Sequence, residues 1–365
     1  MQVGIPRETL PGETRVAATP ETVKKLVQAG HQVRVERGAG TAARYPDADY
    51  EKAGAELADA GAALGSELVL KVRRPDAAEL GRMKPGAVLL GMLDPFDQDG
   101  LRALAGAGLT AFALEAAPRT TRAQSLDVLS SQANLAGYKA VLLATQYYGR
   151  ILPMMMTAAG TLKAARVVVL GAGVAGLQAI ATARRLGAQV EGFDVRPETR
   201  EQIESLGGRF LDLGVSAAGE GGYARQLTDE ERALQQQRLS DHLRGIDVVV
   251  CTAAVPGRAA PKIVTRAMVE GMKPGSVIVD LAAETGGNCE LTRPGETVEH
   301  GGVVVSGPLN LASMGAVHAS EMYARNVFNF VALFLRDGAV AFDWNDELLA
   351  RTAWPEAPVP AAAAG

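Results

Sequence analysis

The chain has 365 residues, of which 47% are hydrophobic and 21% charged, and its formal net charge is −4. This length favours two domains, and the composition lies in the ordinary range of globular proteins. The small negative charge gives no reason to expect nucleic acid or anionic lipid as a partner. We therefore expect a small molecule or another protein.

The two cysteines, Cys251 and Cys289, are too far apart to form a CxxC pair. The sequence thus predicts neither a disulfide framework nor a metal site, and it favours the reducing cytoplasm. The first residues lack the basic stretch and apolar run of a signal peptide, and no apolar stretch is long enough to span a bilayer. We expect no direct insertion into a membrane.

The first third of the chain alternates short runs rich in Val and Leu with amphipathic segments. Buried strands are predicted at Gln2–Ile5, His31–Glu36, Leu68–Val72, Ala87–Gly91 and Thr110–Leu114. Thr19 and Pro20 are typical of a helix start, and Gly30 of a helix end. Helices between strands imply right-handed crossovers and a parallel sheet.

A second series of predicted strands follows at Arg166–Leu170, Gln189–Phe193, Asp247–Thr252, Ser276–Leu281 and Gly302–Ser306. Long helical patterns at about Asn134–Tyr148 and Ala319–Leu335 are predicted to bridge the domains. We expect an α/β protein with two Rossmann-like domains, parallel sheets and long bridging helices. Residues 1–130 plus 312–365 would form the first domain, with the returning C-terminal helix, and residues 131–311 the second. The Pro- and Ala-rich tail resembles a linker.

A dinucleotide motif follows the strand predicted at Arg166–Leu170. Gly171, Gly173 and Gly176 form GxGxxG, and a helical pattern begins at about Val174. A strand, three glycines and a helix in this order are specific, whereas the glycines alone would be weak. The glycines allow a tight turn, approach to a pyrophosphate and close packing of helix and strand. The free amides of the helix N-terminus favour phosphate.

The next predicted strand ends in Asp194, Val195 and Arg196. An acidic residue at this distance from the glycines is expected to bind the adenosine ribose and to repel a 2′-phosphate, which favours NAD(H) over NADP(H). Arg196 complicates the prediction, because a nearby arginine can accept a 2′-phosphate.

Two further strand ends are candidate nucleotide contacts. Thr252, Ala253 and Ala254 end one predicted strand, and Asp280 ends the next. Ligands bind at carboxyl strand ends in parallel sheets, so these residues are expected to line the nicotinamide half of the crevice. A purely structural role in turn packing is the alternative for each.

A polar loop, residues 118–138, leads into the first long helical pattern and resembles the Arg-Gln-Asp loop of the NAD(H)-binding component of proton-translocating transhydrogenases. The resemblance extends over most of the chain. It includes Gly4–Glu8, Arg15–Ala17, Lys71–Arg73, the glycine motif, Gly221–Ala224, Val255–Gly257, Ala283–Asn288 and Gly307–Asn310.

The resemblance implies roles for several residues. Arg119, Gln124 and Asp127 would contact the nicotinamide-ribose half of NAD(H), with Ser130 nearby, and Tyr223 would lie on a mobile loop that closes over the site. These residue types suit phosphate, carboxamide oxygen and carboxamide NH2. A solvated interdomain connection is the alternative for the loop.

Alanine dehydrogenases have the same architecture and are the rival family. Arg15 matches their carboxylate-clamp arginine, but Arg73 stands at their active-site lysine and cannot exchange a proton near neutral pH. Their catalytic histidine would fall near Leu93. Of the four histidines in the chain, His31, His242 and His300 are predicted to have surface or structural roles; an approach to the cleft is an alternative for His318 alone, and its role stays open.

These departures favour a transhydrogenase, in which hydride passes directly between two nicotinamides and no general acid is required. The resemblance further implies that the enzyme is Re/Si-specific and proton-translocating. The family implies a homodimer and separate NADP(H)-binding and membrane-spanning subunits. Through these partners, a cytoplasmic chain would lie at the inner face of the plasma membrane. A non-catalytic NAD-binding protein is the remaining alternative.

Overall fold

The computed structural model describes residues 1–217, 225, 227–255, 257–336 and 339–355. The chain divides into two compact units, one of residues 1–132 with 313–365 and one of residues 133–312. Each unit is built around a large sheet whose neighbouring strands run mostly parallel, with helices between them. The predicted α/β class is confirmed.

The first unit begins with alternating strands and helices. In chain order these are β1 (Gln2–Ile5), α1 (Pro20–Gln28), β2 (Gln32–Glu36), α2 (Asp47–Lys52), β3 (Glu56–Ala58), α3 (Ala60–Leu64), β4 (Leu68–Arg73), α4 (Ala77–Leu80), β5 (Val88–Met92), α5 (Gln98–Gly106) and β6 (Thr110–Ala113). The five predicted strands match β1, β2, β4, β5 and β6 to within one residue at each end. Strand β3 was not predicted.

A 3-10 turn (Thr121–Leu126) and helix α6 (Val128–Tyr147) lead into the second unit. Its elements are β7 (Met155–Thr157), β8 (Gly160–Leu162), β9 (Arg166–Leu170), α7 (Val174–Arg185), β10 (Gln189–Phe193), α8 (Thr199–Ser205), β11 (Arg209–Phe210), α9 (Asp229–Leu243), β12 (Val248–Cys251), α10 (Arg266–Glu270), β13 (Val277–Asp280), β14 (Thr297–His300) and β15 (Val303–Ser306). The predicted strands match β9, β10, β12, β13 and β15 to within one residue.

The C-terminal segment belongs to the first unit. It contains α11 (Ala316–Val331), β16 (Leu335–Arg336), β17 (Ala339–Val340), α12 (Glu347–Thr352) and β18 (Ala353–Trp354). Phe330 of α11 packs its ring 5.4 Å, centroid to centroid, from Phe112 of β6. This burial of aromatic surface fixes the returning helix against the first sheet.

The two sheets share one strand order. Among the described residues, the first is ordered β18-β6-β5-β4-β1-β2-β3 and the second β11-β10-β9-β12-β13-β15-β14. Strands β18 and β14 are antiparallel to their neighbours, and the expectation of parallel sheets holds for the other strands of both sheets. The other strands follow the doubly wound order 3-2-1-4-5-6. The order reverses between β1 and β4, and between β9 and β12, and ligands bind at the carboxyl ends of such strand pairs.

The second sheet is covered on both faces. Val167 and Val169 of β9 join one buried cluster with α6 and α7, and Val168 and Leu170 join another with α9 and α10. This alternation explains why the strand is apolar throughout. Among the described helices, none combines the length and apolarity needed to cross a membrane.

Candidate functional site

The glycine turn lies at the switch point of the second sheet, where β9 and β12 end. Gly171 follows β9 with φ +103°, a conformation that favours glycine. Its N–H donates to the Phe193 carbonyl of β10 (2.8 Å), and the Thr252 hydroxyl donates to its carbonyl (2.8 Å). The turn is therefore held from both adjacent strands.

The other two glycines differ in what surrounds them. A Cβ at Gly176 would lie 1.8 Å from the Gly171 carbonyl oxygen, so only glycine lets α7 pack this closely. A Cβ at Gly173 would meet no heavy atom within 4 Å, and the φ there is −79°. The chain's own packing thus does not require glycine at this position. Gly173 is the N-cap of α7 and supplies no side chain, so the first-turn amides that begin at Val174 stay available for an anion.

Asp194 lies directly after β10 and is buried against the glycine turn. Its Oδ2 accepts from the Ala172 N–H (2.7 Å), and its two oxygens accept from the Arg196 guanidinium, with Nε at 2.9 Å and Nη2 at 2.7 Å. Burial acts to raise the pKa of Asp194, but the hydrogen bonds from Arg196 and Ala172 outweigh it and hold the pKa below its ordinary value. Asp194 is a carboxylate at neutral pH. Val195 lies between Asp194 and Arg196 in the chain, and its carbonyl accepts from the Ala217 N–H (2.6 Å).

The turn after β12 is held by Asn288, which the sequence places at the end of a family segment without indicating a role for it. Asn288 is fully buried; its Oδ1 accepts from the Ala253 N–H (3.0 Å), and its Nδ2 donates to the carbonyls of Ala253 (2.7 Å) and Pro261 (2.9 Å). The backbone of Ala253 is clamped on both sides, next to Thr252. Ala254 is exposed at the same turn.

Asp280 was predicted to contact the nucleotide, and the geometry favours its structural alternative. Its side chain is fully buried, and Oδ1 accepts from the Ala282 N–H (3.0 Å). Oδ2 accepts from the Cys289 N–H (2.9 Å) and the Thr292 hydroxyl (2.6 Å). The carboxylate thereby fixes the segment that carries Asn288.

Of the predicted polar loop, residues 118–138, residues 121–126 form the 3-10 turn and residues 128–138 already belong to α6. Arg119 and Gln124 are exposed, whereas Asp127 is the residue before the first turn of α6. Its two carboxylate oxygens accept from the N–H (2.8 Å) and hydroxyl (2.5 Å) of Ser130. Asp127 therefore acts as a helix N-cap, which the sequence analysis did not predict. Arg122 pairs with Asp346 of the C-terminal segment.

A buried charged group occupies the switch point of the first sheet. The Arg15 guanidinium donates to both Glu13 oxygens (2.7 and 2.6 Å) and to Gln132 (2.9 Å), and Arg73 Nε also donates to Glu13 (3.0 Å). Burial acts to raise the pKa of Glu13, but Arg15, Ser313 and Arg73 together lower it to about 2. Arg15 is thus engaged by the chain itself.

His318 is exposed on α11, and no group of metal-ligating side chains occurs in the portion of the chain that the structure describes. Burial raises the pKa of Cys251 well above its ordinary value and that of Cys289 to about 11, so neither is a thiolate nucleophile. Tyr223 lies outside the described residues.

Comparison with known proteins gives consistent matches. The family models for the N-terminal and C-terminal domains of alanine dehydrogenase/PNT match residues 4–136 and 140–355. The chain is 48% identical over 343 residues to an NAD(P) transhydrogenase subunit alpha protein of Rhodospirillum rubrum, covering 91% of this chain and 89% of the relative.

Two solved structures show the same fold. A transhydrogenase structure from Sinorhizobium meliloti has a TM-score of 0.89 and 50% identity, covering 97% of this chain and 98% of that one. An L-alanine dehydrogenase structure has a TM-score of 0.81 and 29% identity, covering 97% and 94%.

Proposed function

We propose, because the chain belongs to the alanine dehydrogenase/PNT family, that it is the NAD(H)-binding component of a transhydrogenase and exchanges hydride with NADP(H) on a partner subunit. The observation that carries the proposal is the glycine turn at the switch point of the second sheet, with Asp194 bonded to its Ala172 amide. The transhydrogenases match at 40–50% identity and the alanine dehydrogenases at 29–34%, which favours the first of the two activities.

The residues of the second unit fit NAD(H). Gly171, Gly173 and the first-turn amides of α7, beginning at Val174, would hold the pyrophosphate. Asp194 and Val195 would hold the adenosine ribose, with Arg196 beside them. Thr252, Ala253 and Ala254 would line the nicotinamide half. The nucleotide, when bound, supplies the hydride; the chain supplies binding, orientation and exclusion of water.

The loop of the first unit would orient the nicotinamide. Arg119 and Gln124 present exposed polar groups, and Asp127 and Ser130 form the cap that fixes where the loop ends. Arg122 and Asp346 tether the loop to the C-terminal segment. A loop held at both ends suits a positioning role better than a flexible linker does.

The alanine dehydrogenase alternative needs a carboxylate clamp and a proton donor. Arg15 already binds Glu13 and Gln132, Arg73 does not exchange protons near neutral pH, and Leu93 stands where the family's histidine would lie. Direct transfer between nicotinamides needs neither group. A non-catalytic NAD-binding protein would not require the tethered loop.

We further propose that this chain is cytoplasmic and works with NADP(H)-binding and membrane-spanning subunits at the inner face of the plasma membrane, in a proton-translocating enzyme. A homodimer is included in this proposal. The proposed protein contacts are supported by the β7–β8 hairpin, on which Met155, Met156 and Leu162 are exposed. Exposed apolar patches of this kind mark protein contacts. Light scattering of the purified chain measures the oligomeric state.

The test of the proposed function compares two reactions and two nucleotides. We expect NADH to bind far more tightly than NADPH, and hydride to pass from NADH to an NADP analogue when an NADP(H)-binding subunit is added. Pyruvate with ammonia should cause no NADH oxidation above background. Equal affinities for the two nucleotides would contradict the NAD assignment, and rapid oxidation with pyruvate and ammonia would assign the chain to the alanine dehydrogenases.

A further inference from the structure

Arg196 and Asp194 form a closed pair beside the glycine turn. Nε and Nη2 of Arg196 each donate to a different oxygen of Asp194, at 2.9 and 2.7 Å, and the Arg196 N–H donates to Oδ1 at 2.9 Å. The exposed fractions of the two side chains are 18% for Arg196 and 8% for Asp194. Both residues belong to the second unit.

The geometry of the pair matters because of what each group recognises. A guanidinium binds a phosphate monoester and a carboxylate through the same two-pronged set of N–H groups. While the Asp194 carboxylate accepts from Nε and Nη2 of Arg196, it neutralises the positive charge of the guanidinium and these two donors point at the carboxylate. Asp194 also accepts from the Ala172 N–H, which keeps the carboxylate against the glycine turn.

Beyond the ribose contact already proposed for Asp194, we propose that this residue selects NAD(H) by holding Arg196 so that the arginine cannot take up a 2′-phosphate. Arg196 is then a latent phosphate ligand, and removal of the Asp194 carboxylate converts the site to one that accepts NADP(H). The inference rests on the proposed function, because it assumes that the adenosine ribose lies at the end of β10. If Arg196 only braced the strand end, its release would add no affinity for NADPH.

The test uses Asp194→Asn, which removes the charge but keeps an oxygen that can accept from the Ala172 N–H. NADH and NADPH affinities are measured by fluorescence titration in the parent, in Asp194→Asn and in Asp194→Asn/Arg196→Ala. A charged hydrogen bond is worth about 1.5–3 kcal/mol, so NADPH should bind roughly 10- to 100-fold more tightly to Asp194→Asn than to the parent. The double variant should lose this gain.

Asp194→Asn/Arg200→Ala is the matched control. Arg200 is half-exposed on α8, four residues from Arg196, and pairs with Asp212, so this variant removes a neighbouring arginine of equal charge. The NADPH gain should survive in it. Added KCl should weaken NADPH binding to Asp194→Asn more than NADH binding to the parent, because the phosphate contact is ionic. Thermal melting of each variant confirms that it is folded.

Two results overturn the inference alone. One is a parent that prefers NADH together with an Asp194→Asn variant that gains no NADPH affinity; the other is a gain that persists when Arg196 is removed. A parent that binds neither nucleotide would overturn the proposed function as well. The three outcomes are distinguishable on the same set of preparations.

Discussion

Truncation of Asn288 tests whether the turn after β12 is held by a single side chain. The fully buried amide makes three hydrogen bonds, to the N–H and carbonyl of Ala253 and to the carbonyl of Pro261. Asn288→Ala removes all three hydrogen bonds, so the N–H and carbonyl of Ala253 and the carbonyl of Pro261 each lose the Asn288 side chain as a partner. At about 0.5–1.5 kcal/mol for each bond, we expect the free energy of unfolding to fall by roughly 2–4 kcal/mol.

The loss should appear in both stability and binding. In a unit of this size, 1 kcal/mol corresponds to about 2–4 °C in melting temperature, so the second unit should melt on the order of 10 °C lower. The turn carries Thr252, whose hydroxyl donates to the Gly171 carbonyl, so the glycine turn loses a fixed neighbour. We therefore expect NADH affinity to fall at temperatures where the variant is still folded.

Calorimetry and NADH titration below the melting transition are the assays. Gln237→Ala is the control, because this exposed amide on α9 can be truncated to the same residue without touching the turn. A variant that melts with the parent would refute the hydrogen-bond argument. A destabilised variant with unchanged NADH affinity would show that the turn does not belong to the nucleotide site.

Two further changes test the first unit. The variants Gln124→Asn and Asp127→Asn should bind NADH with an affinity within roughly tenfold of the parent, a difference of about 1.4 kcal/mol. The rate of hydride transfer, measured by stopped flow, should fall by more than the affinity, since misplacement of the nicotinamide near 1 Å can cost on the order of 100-fold. Asn also caps helices well, so α6 should persist in Asp127→Asn. Unchanged transfer rates would identify the loop as a linker. Glu13→Gln should lower the free energy of unfolding at pH 7 by about 3 kcal/mol or more, because Arg15 and Arg73 lose their buried partner. The folded pKa of Glu13, about 2, lies below its ordinary 4.5, so this stabilisation is present above pH 4.5 and is lost as the pH falls toward 2. Denaturant unfolding of the parent and of Glu13→Gln at pH 7 and pH 3 measures this stabilisation, with Glu21→Gln, at an exposed residue, as control. A difference in free energy of unfolding between parent and Glu13→Gln that does not narrow at pH 3 would contradict the argument.

Long apolar strands could be predicted from the sequence, and short edge strands could not. Buried parallel strands such as β9 are continuous runs of Val and Leu, so the residues of the strand are themselves enough to predict it. Strands β11 and β18 contain two residues each and exist only because a neighbouring strand accepts them. The sequence predicts the start of α6 six residues late, because the polar Ser130, Ser131 and Gln132 conceal the helical pattern that Asp127 caps.

The same distinction separates the site residues. The position of Asp194 after its strand is a local feature, fixed by the spacing from the glycine turn. Asn288 acts on Ala253, 35 residues away, and Arg15 on Gln132, 117 residues away. No periodicity or short motif reports such pairs, because the fold alone brings them together.

The two sheets show why strand order does not by itself locate a nucleotide site. Both reverse their order at a switch point, and in both a ligand crevice is expected there. In the first unit, β1 continues into Pro6 and Arg7 in place of a glycine turn, and Glu8 accepts from the N–H groups of Val72 and Arg73 at the end of β4. The chain's own carboxylate therefore takes backbone donors that an anionic ligand would use. In the second unit, Gly173 contributes no side chain and the first turn of α7 keeps its donors. Whether a switch point offers backbone donors to an anionic ligand thus depends on a few residues after the first strand, and not on the architecture.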